Sequence, residues 1–418
     1  MNKAKIVATL GPASANKETM LAMVKAGVNV FRVNFSHGDH ATHRATIKMI
    51  RELNEEHDLN VATLADLQGP KLRIGEVEEG AVVNVGDKVT FTTKPTKGTA
   101  KKVFMTYEQF PKDVQVGERI LLDDGKLLMT VVSTNGVDEV EAEVVQGGPL
   151  KSKKGVNLPN TKISLPCLTE KDLADLEVAL DENVEWIGLS FVRNAEDVIE
   201  LRQLIKKSKK TAFIISKIEK PEAVMDIDRI MAETDGVMVA RGDLGVEVPM
   251  QSVPLIQKMI VEKALMASKP VIIATQMMES MIENMSPTRA EVNDVANSVL
   301  DGADAVMLSG ETSVGKHPVA VVEAMSRIIS HCEETATIEA PEHPPIERNE
   351  RYITDSICYQ ASKVADQVSA TSIMTMTFSG YTGFKISSHR PKANIYVFTA
   401  NRSILNTLSL IWGVTGFF

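Results

Sequence analysis

The sequence predicts an α/β protein: a closed (β/α)8 barrel, or TIM barrel, with an inserted all-β domain and a small α/β domain at its C-terminal end. Three observations predict this fold. First, eight short, mostly β-branched runs alternate with amphipathic stretches of helical spacing. Second, one long segment between them has the period-two pattern of β-strands. Third, a stretch rich in Pro and charged residues precedes the last predicted helix and strands. Eight β/α units favour a closed parallel barrel over an open doubly wound sheet, because no GxGxxG motif follows the first strand.

The barrel strands are predicted from the eight apolar runs. They are residues 5–10, 28–35, 61–67, 185–191, 212–219, 236–241, 270–275 and 305–309. Apolar residues at helical spacing lie between them, most clearly at residues 17–26, 43–56, 195–206 and 251–268. We therefore assign residues 1–69 and 167–339 to the barrel.

The long interruption, residues 70–166, alternates apolar and polar residues with period two. Its segments VVNVGDKVTFTT, RILLDDGKLLMTVV and VEAEVV are separated by Gly and Asp turns. This pattern is typical of an all-β domain, here inserted after the third barrel strand, where it can act as a lid.

The last part of the chain predicts a linker and a small α/β domain. Residues 340–351 are rich in Pro and charge. A helix is expected at residues 355–370 and strands at 373–378 and 394–399, within a domain that we assign to residues 346–418. Because the chain stops at WGVTGFF, directly after a helix-and-strand pattern, we expect this domain to be partial.

Composition narrows the function classes. The 418 residues carry a net charge of −9, which argues against broad contact with nucleic acid or anionic membranes. The N-terminal apolar run is too short for a signal sequence, and no apolar stretch approaches a membrane span. The three cysteines, Cys167, Cys332 and Cys358, are widely spaced and are interpreted as core thiols of a cytoplasmic protein.

Polar side chains gather where the predicted barrel strands end. In order along the chain they are Arg32, Asn34, Ser36, Asp66, Lys217, Glu219, Arg241, Gly242, Asp243, Thr275, Ser309 and Glu311. A single buried lysine could be half of a structural ion pair, but polar groups at the same end of six strands predict an active site at the carboxyl rim.

Two of these carboxylates predict a divalent-metal site. Glu219 and Asp243 follow neighbouring strands, which lie about 4.8 Å apart, so both can bind one Mg²⁺ or Mn²⁺ ion. Lys217 lies beside them, and a cation in this position can stabilise a phosphoryl group during transfer. The pattern therefore indicates phosphoryl-transfer chemistry.

Basic residues flank both connections to the insert. Lys71 and Arg73 follow the third strand, and Lys151, Lys153 and Lys154 precede the return. They form either a solvated surface or a phosphate clamp that closes over the barrel. The spacing of His37, His40 and His43 allows a transition-metal site, but a helix start capped by Asp39 explains it better, with residues 34–38 available for a nucleotide.

Eight blocks resemble the pyruvate kinase family in order and spacing. They are NFSHG (34–38), GPKLR (69–73), KGVNLP (154–159), IISKIEKPEA (214–223), MVARGDLGVE (238–247), ATQMMESM (274–281), PTRAEVNDVAN (287–297) and VMLSGETSVGKHP (306–318). The resemblance implies transfer of a phosphoryl group from phosphoenolpyruvate to ADP, giving pyruvate and ATP. It also implies a homotetramer with an interface segment at residues 287–297.

The resemblance assigns roles to the rim residues. Glu219 and Asp243 would bind Mg²⁺, and Lys217 would stabilise the phosphoryl group. Arg32, Gly242 and Thr275 would contact the substrate together with Lys217 and Asp243. Asn34, His37, Arg73 and Lys154 would face ADP or ATP, with Arg73 also assisting catalysis. Thr275 would also take part in catalysis, and the catalytic residues Ser309 and Glu311 would belong to the route that protonates the enolate.

Two departures from the family pattern matter. The run Asp66-Leu67-Gln68-Gly69-Pro70-Lys71 resembles the subgroup that does not require K⁺, with Lys71 replacing the K⁺ ion beside Asn34, Ser36, Asp66 and Leu67. Because the family pattern continues with further strands and an effector loop, we also expect the small domain to lack them. Two alternatives stay open: another phosphoenolpyruvate/pyruvate barrel enzyme, a lyase or mutase, and a non-catalytic relative.

Overall fold

The first β/α units follow the predicted pattern. In the computed structural model, which describes residues 2–338, 340–346 and 348–418, the elements are β1 (Lys5–Thr9), α1 (Lys17–Ala26), β2 (Val28–Asn34), α2 (His40–His57) and β3 (Ala62–Asp66). Asp39 caps α2 by accepting the Thr42 N–H at 2.8 Å, which confirms the interpretation of the histidine cluster as a helix start. Met1, Glu339 and Glu347 lie outside the described residues. The predicted end of the barrel, residue 339, is one of these positions.

The insert is built from short strands. They are β4 (Val82–Val83), β5 (Lys88–Thr92), β6 (Lys102–Phe104), β7 (Arg119–Leu122), β8 (Leu127–Thr134), β9 (Glu139–Gln146), β10 (Gly148–Pro149) and β11 (Val156–Asn157), with the short helix α3 (Phe110–Asp113). Six strands form one sheet in the order β11-β7-β8-β9-β5-β6, and β4 pairs with β10. A separate hydrophobic core that includes Phe91, Phe110 and Met129 holds them together, so the predicted β-rich insert is confirmed and α3 is its one described helix.

The chain then returns to the barrel. The elements are α4 (Glu170–Asp181), β12 (Trp186–Leu189), α5 (Ala195–Lys207), β13 (Phe213–Ile218), α6 (Pro221–Met225), α7 (Ile227–Glu233), β14 (Gly236–Ala240), α8 (Arg241–Glu247), α9 (Val253–Met266), β15 (Val271–Ala274), α10 (Arg289–Leu300), β16 (Ala305–Leu308), α11 (Gly310–Ser313) and α12 (Pro318–Thr335). The eight predicted strands form a closed parallel barrel in the order β1-β16-β15-β14-β13-β12-β3-β2. The predicted barrel fold is confirmed.

Side chains that alternate along the strands fill the barrel. The inward-facing apolar residues include Val7, Val30, Leu64, Trp186, Ile215, Met238, Ile272 and Met307. Arg32, Asp66 and Lys217 come two residues after such apolar residues in β2, β3 and β13. Because side chains alternate along a strand, they also point inward, but they lie at the carboxyl rim. The apolar layer below thus supports a polar layer above it.

The C-terminal part is a small parallel sheet with helices. Its elements are α13 (Tyr352–Gln367), β17 (Ser372–Met376), α14 (Tyr381–Ser388), β18 (Asn394–Phe398), α15 (Arg402–Leu408) and β19 (Val414–Phe417), with strand order β17-β18-β19. It packs on the amino-terminal end of the barrel, where the buried Arg390 lies 2.7 Å from Asp304. The predicted small α/β domain is confirmed, while the residue boundaries of all three domains stay predictions.

Two sequence expectations outside the site can also be compared with the structure. The three cysteines are buried and unbridged, as expected of core thiols. Within the described residues, no helix combines the length and the apolar character that crossing a bilayer would require.

Candidate active site

Lys217 lies at the centre of a buried charged cluster at the carboxyl rim. Its Nζ donates to Ser190 Oγ at 2.7 Å and lies 3.0 Å from Glu219 Oε1 and 3.2 Å from Asp66 Oδ1. Burial by itself would lower the pKa of Lys217, but the negative charges of Asp66 and Glu219 outweigh it and raise the pKa above its ordinary value. The side chain is therefore a fixed positive charge.

Asp66 joins this lysine to a second cation. Arg32 Nε lies 2.6 Å from Asp66 Oδ2, and Arg32 Nη1 donates to Thr9 Oγ1 at 3.1 Å. Burial would raise the pKa of Asp66, yet Lys217 and Arg32 hold it below its usual range. Asp66 is thus an anion that orients Arg32 and Lys217 toward the same space.

Glu219 and Asp243 are the two candidate metal ligands. Glu219 is 1% exposed and its Oε2 accepts the Phe191 N–H at 2.8 Å, while Asp243 lies in the first turn of α8 and is partly exposed. Burial raises the pKa of Glu219, and the neighbouring charge of Asp243 adds to this effect, although Lys217 opposes it. A divalent cation would relieve this repulsion, so the two carboxylates fit such an ion.

The protein ligands would be few. Among the residues that the structure describes, no group of three or more His, Cys, Asp or Glu side chains is arranged to hold a metal ion. Mg²⁺ is commonly bound through one or two carboxylates, with substrate oxygens and water at the other positions. The pair is therefore suited to a metal that binds together with a phosphorylated substrate.

Gly242 and Thr275 are in contact. The Gly242 N–H donates to Thr275 Oγ1 at 2.7 Å, and Thr275 has the left-handed φ of 70°. A side chain at position 242 would bring its Cβ to 3.3 Å from Thr275 Oγ1, closer than most such contacts, so glycine allows the approach. Arg241 points away from this contact and forms a bidentate salt bridge with Asp294 of α10, with N–O distances of 2.6 and 2.7 Å.

Ser309 and Glu311 lie at the end of β16. Glu311 is buried, and its two carboxylate oxygens accept the N–H groups of Ser309 at 2.7 Å and of Met278 at 3.2 Å. Burial raises the pKa of Glu311, although these backbone donors oppose the effect. A carboxyl group in this environment takes up a proton more readily than one in water.

The candidate nucleotide residues lie between the barrel rim and the insert. A cavity of about 740 Å³ is lined by Ser36, His37, Arg73 and Lys153, among others. Lys154 is not part of this lining, and its Nζ lies 2.9 Å from Asp123 Oδ1 within the insert. The structure thus brings His37 and Arg73 to one cavity, with Lys153 rather than Lys154 as the lysine on its wall.

The predicted monovalent-cation region is occupied by other contacts. Asp66 contacts Arg32 and Lys217, and the Leu67 carbonyl accepts from Ser190 Oγ at 2.7 Å. Lys71 Nζ lies 3.9 Å from Asp243 Oδ1, so its charge is directed to the candidate metal pair. Replacement of K⁺ by Lys71 stays a prediction.

Sequence reasoning missed three groups at this site. Ser190 and Phe191 contact Lys217 and Glu219, and both follow β12, the fourth barrel strand. The rule that functional residues follow barrel strands could have found them, because the predicted strand ended at residue 191. The third is the ion pair between Lys220 and Glu247, which only the folded structure reveals.

The closed parallel barrel, its β-rich insert and the fixed ammonium beside two carboxylates define the class as a barrel phosphotransferase. The family model described as "Pyruvate kinase, barrel domain" matches residues 1–322, and "Pyruvate kinase, alpha/beta domain" matches residues 355–418. The chain belongs to the pyruvate kinase family, and the resemblance predicted from the sequence is confirmed.

Individual relatives agree with this assignment. The chain is 46% identical over 416 residues to a pyruvate kinase of Corynebacterium glutamicum, a match covering 99% of this chain and 86% of that protein. It is 44% identical to a pyruvate kinase of Geobacillus stearothermophilus, covering 99% and 71%. A crystal structure of a pyruvate kinase from Cryptosporidium parvum superposes with a TM-score of 0.93 at 37% identity, covering 100% of this chain and 87% of that one.

Proposed function

We propose that the chain transfers the phosphoryl group of phosphoenolpyruvate to ADP, giving pyruvate and ATP in the last step of glycolysis. The observation that carries this proposal is the buried Lys217 ammonium, held between Asp66 and Glu219 where β13 reaches the carboxyl rim. Its position is set before substrate binds, so it can stabilise charge on the transferring group without reorganisation.

Substrate binding is assigned to the groups around this ammonium. Arg32 uses Nε and Nη1 for Asp66 and Thr9, which leaves Nη2 to bind a phosphate oxygen of phosphoenolpyruvate. The Gly242 and Thr275 pair lies on the opposite side of the rim, where it positions the carboxylate end. Glu219 and Asp243 hold Mg²⁺ or Mn²⁺, which when bound neutralises substrate and phosphate oxygens.

The nucleotide and the proton enter from different sides. His37 and Arg73 face ADP from the cavity wall, while Asn34 and Lys154, which lie outside its lining, stay predicted contacts of ADP. The insert closes over the barrel so that water does not replace ADP as acceptor. After transfer, the enolate carbon takes a proton to become the methyl group of pyruvate. Thr275, Ser309 and Glu311 form the route that supplies it, and the raised pKa of Glu311 suits a group that holds a proton.

A cytoplasmic homotetramer is the form that we propose for the working enzyme. Exposed apolar side chains on α10, Val292 and Leu300, support an interface there, and Arg241 anchors this helix to the rim through Asp294. Light scattering coupled to size-exclusion chromatography should give a molar mass four times that of one chain. A monomer at micromolar concentration would contradict this part of the proposal.

An assay coupled to lactate dehydrogenase separates the candidate functions. We expect pyruvate to form from phosphoenolpyruvate only when both ADP and Mg²⁺ are present. Phosphoenolpyruvate consumption that continues at the same rate without ADP would instead favour a lyase or mutase. No consumption under any condition would favour a non-catalytic relative.

A further inference from the structure

A second buried ion pair is close in sequence to both candidate metal carboxylates. Lys220 follows Glu219 in sequence, and Glu247 lies one helical turn after Asp243 in α8. Lys220 Nζ is 2.7 Å from Glu247 Oε1, and the two side chains are only 9% and 1% exposed. This one pair therefore joins the segment that carries Glu219 to the helix that carries Asp243.

The insert contacts the same helix through both of its connections to the barrel. On the return segment, Asn157 of β11 donates from Nδ2 to Glu247 Oε1 at 2.8 Å. On the outgoing segment, Lys71 Nζ lies 3.9 Å from Asp243 Oδ1. Movement of the insert relative to the barrel must therefore break or strain contacts to α8.

Glu247 depends on few donors. Its Oε1 accepts from both Lys220 and Asn157, whereas its buried Oε2 has no hydrogen-bond partner among the described residues. A buried carboxylate is costly unless it is paired, so these two donors must offset most of the desolvation cost. The position of the Glu247 carboxylate, at the C-terminal end of α8, is thus set jointly by a barrel lysine and an insert asparagine.

We propose that Lys220 and Glu247 are positioning residues that fix the separation of Glu219 and Asp243, and that Asn157 couples this separation to the position of the insert. The inference rests on the proposed function in that Glu219 and Asp243 bind the divalent ion. Mg²⁺ demands near-octahedral geometry, so a site with two protein ligands is sensitive to the distance between them. Residues that orient metal ligands typically change affinity by about 10- to 100-fold when replaced.

Mn²⁺ titration of the protein without substrate or nucleotide tests this, with free Mn²⁺ read by electron paramagnetic resonance. The Lys220→Met/Glu247→Leu double variant removes both charges at once, so no unpaired charge is left buried and the fold is expected to persist. We expect its Kd for Mn²⁺ to rise about tenfold. Asn157→Leu leaves Lys220 in place and should raise the Kd by a smaller factor.

Two further variants keep the test sharp. Glu247→Gln retains an acceptor oxygen for both donors, so it should fold even where the double variant does not. It should still weaken Mn²⁺ binding, because the ion pair with Lys220 becomes a weaker hydrogen bond to a neutral amide. Lys258→Met removes an ion pair with Asp301 on the outside of the barrel and should leave Mn²⁺ binding unchanged, as a matched control.

The outcomes distinguish the positioning role of Lys220 and Glu247 from the proposed function. If the unaltered chain binds Mn²⁺ and a folded double variant or Glu247→Gln binds it within about twofold, the positioning role is wrong while the proposed function stands. If the unaltered chain binds no Mn²⁺ and forms no pyruvate, the proposed function itself is wrong. Weakened binding in both pair variants, with the control unchanged, supports the inference.

Discussion

At the residue scale, the proposed chemistry depends on how firmly one ammonium group is held. Lys217 contacts Ser190, Asp66 and Glu219, which come from three different strand ends. None of these partners is on a flexible side chain at the surface, since all three are buried. The positive charge is therefore placed by the barrel itself, and not by substrate binding.

Replacing this ammonium should strongly reduce turnover without unfolding the protein. In Lys217→Met, Asp66 keeps Arg32 as its partner, so the rim stays assembled. We expect kcat to fall by a factor of about 10² to 10³, because the charge acts mainly in the transition state. The measurement is kcat in the coupled assay together with the circular dichroism spectrum. A folded variant with turnover near that of the unaltered protein would rule out this role.

Lys71 should make the enzyme independent of K⁺. Its tethered ammonium lies at the rim beside Asp243, where it supplies positive charge without recruiting a free cation. Turnover in tetramethylammonium buffer should therefore change by less than about tenfold when K⁺ is added. Lys71→Glu should move the enzyme toward K⁺ dependence, with Lys258→Met as a neutral control. A variant that stays indifferent to K⁺ would show that the tethered charge is not the cause.

Several residues of the candidate site could be predicted from the sequence, because the fold fixes where their side chains point. Arg32, Asp66 and Lys217 were found because alternation along a strand fixes which residues face inward and the barrel fixes which end is the rim. The direction of a long side chain is not fixed in this way. Lys71 and Lys154 therefore contact Asp243 and Asp123, which the sequence did not indicate.

At the element scale, the insert is a separately packed body joined to the rim by two short connections. Its own core is distinct from that of the barrel, and its described contacts to the rim include Asn157 with Glu247 and Lys71 with Asp243. A body joined to the barrel by two connections can move as a unit, and the candidate nucleotide cavity lies between it and the barrel.

Nucleotide binding should close this lid. Mg-ADP together with an analogue of phosphoenolpyruvate bridges the Arg73 side of the cavity to the barrel rim, so the closed form gains contacts that the open form lacks. We expect the radius of gyration from small-angle X-ray scattering to decrease on adding both ligands. Scattering curves that superpose with and without them would contradict lid closure.

The elements that could be predicted are those with a long periodic pattern. All eight barrel strands lie within the predicted runs, and α1 has the predicted bounds. The short helix α3 and the two-residue strands β10 and β11 were not predicted, because elements this short show no periodicity. Helix α13 begins at Tyr352, three residues before the predicted start, where the linker composition obscured its first turn.

At the scale of the whole molecule, the small C-terminal domain closes the amino-terminal end of the barrel. Lys5 of β1 is buried and donates from Nζ to the Val414 carbonyl at 2.9 Å, while Arg390 pairs with Asp304 close by. Burial lowers the pKa of Lys5 to about 8, although Glu333 and Asp304 oppose the shift. This junction should therefore respond to alkaline pH.

The stability of the junction should increase between about pH 8 and pH 10 through Lys5. In this range the unfolded chain still binds the proton that the folded chain has released, so the free energy of unfolding rises with pH. Lys5→Met lacks this titration. The difference in Tm between the unaltered protein and Lys5→Met should therefore shift in favour of the unaltered protein from about pH 7.5 to about pH 9.5. The shift should correspond to about 1–2 kcal/mol in the free energy of unfolding. An unchanged difference in Tm would show that Lys5 does not titrate in this range.

The whole enzyme is expected to transfer the phosphoryl group of phosphoenolpyruvate to ADP at the rim of this barrel. Phosphorus-31 nuclear magnetic resonance follows every phosphorus atom in one sample containing Mg²⁺, phosphoenolpyruvate and ADP. We predict that the phosphoenolpyruvate signal declines as the γ-phosphate signal of ATP grows in equal amount, and that Lys217→Met slows both changes by the same factor. Loss of phosphoenolpyruvate with growth of inorganic phosphate or a phosphonate signal, and no ATP, would contradict the account.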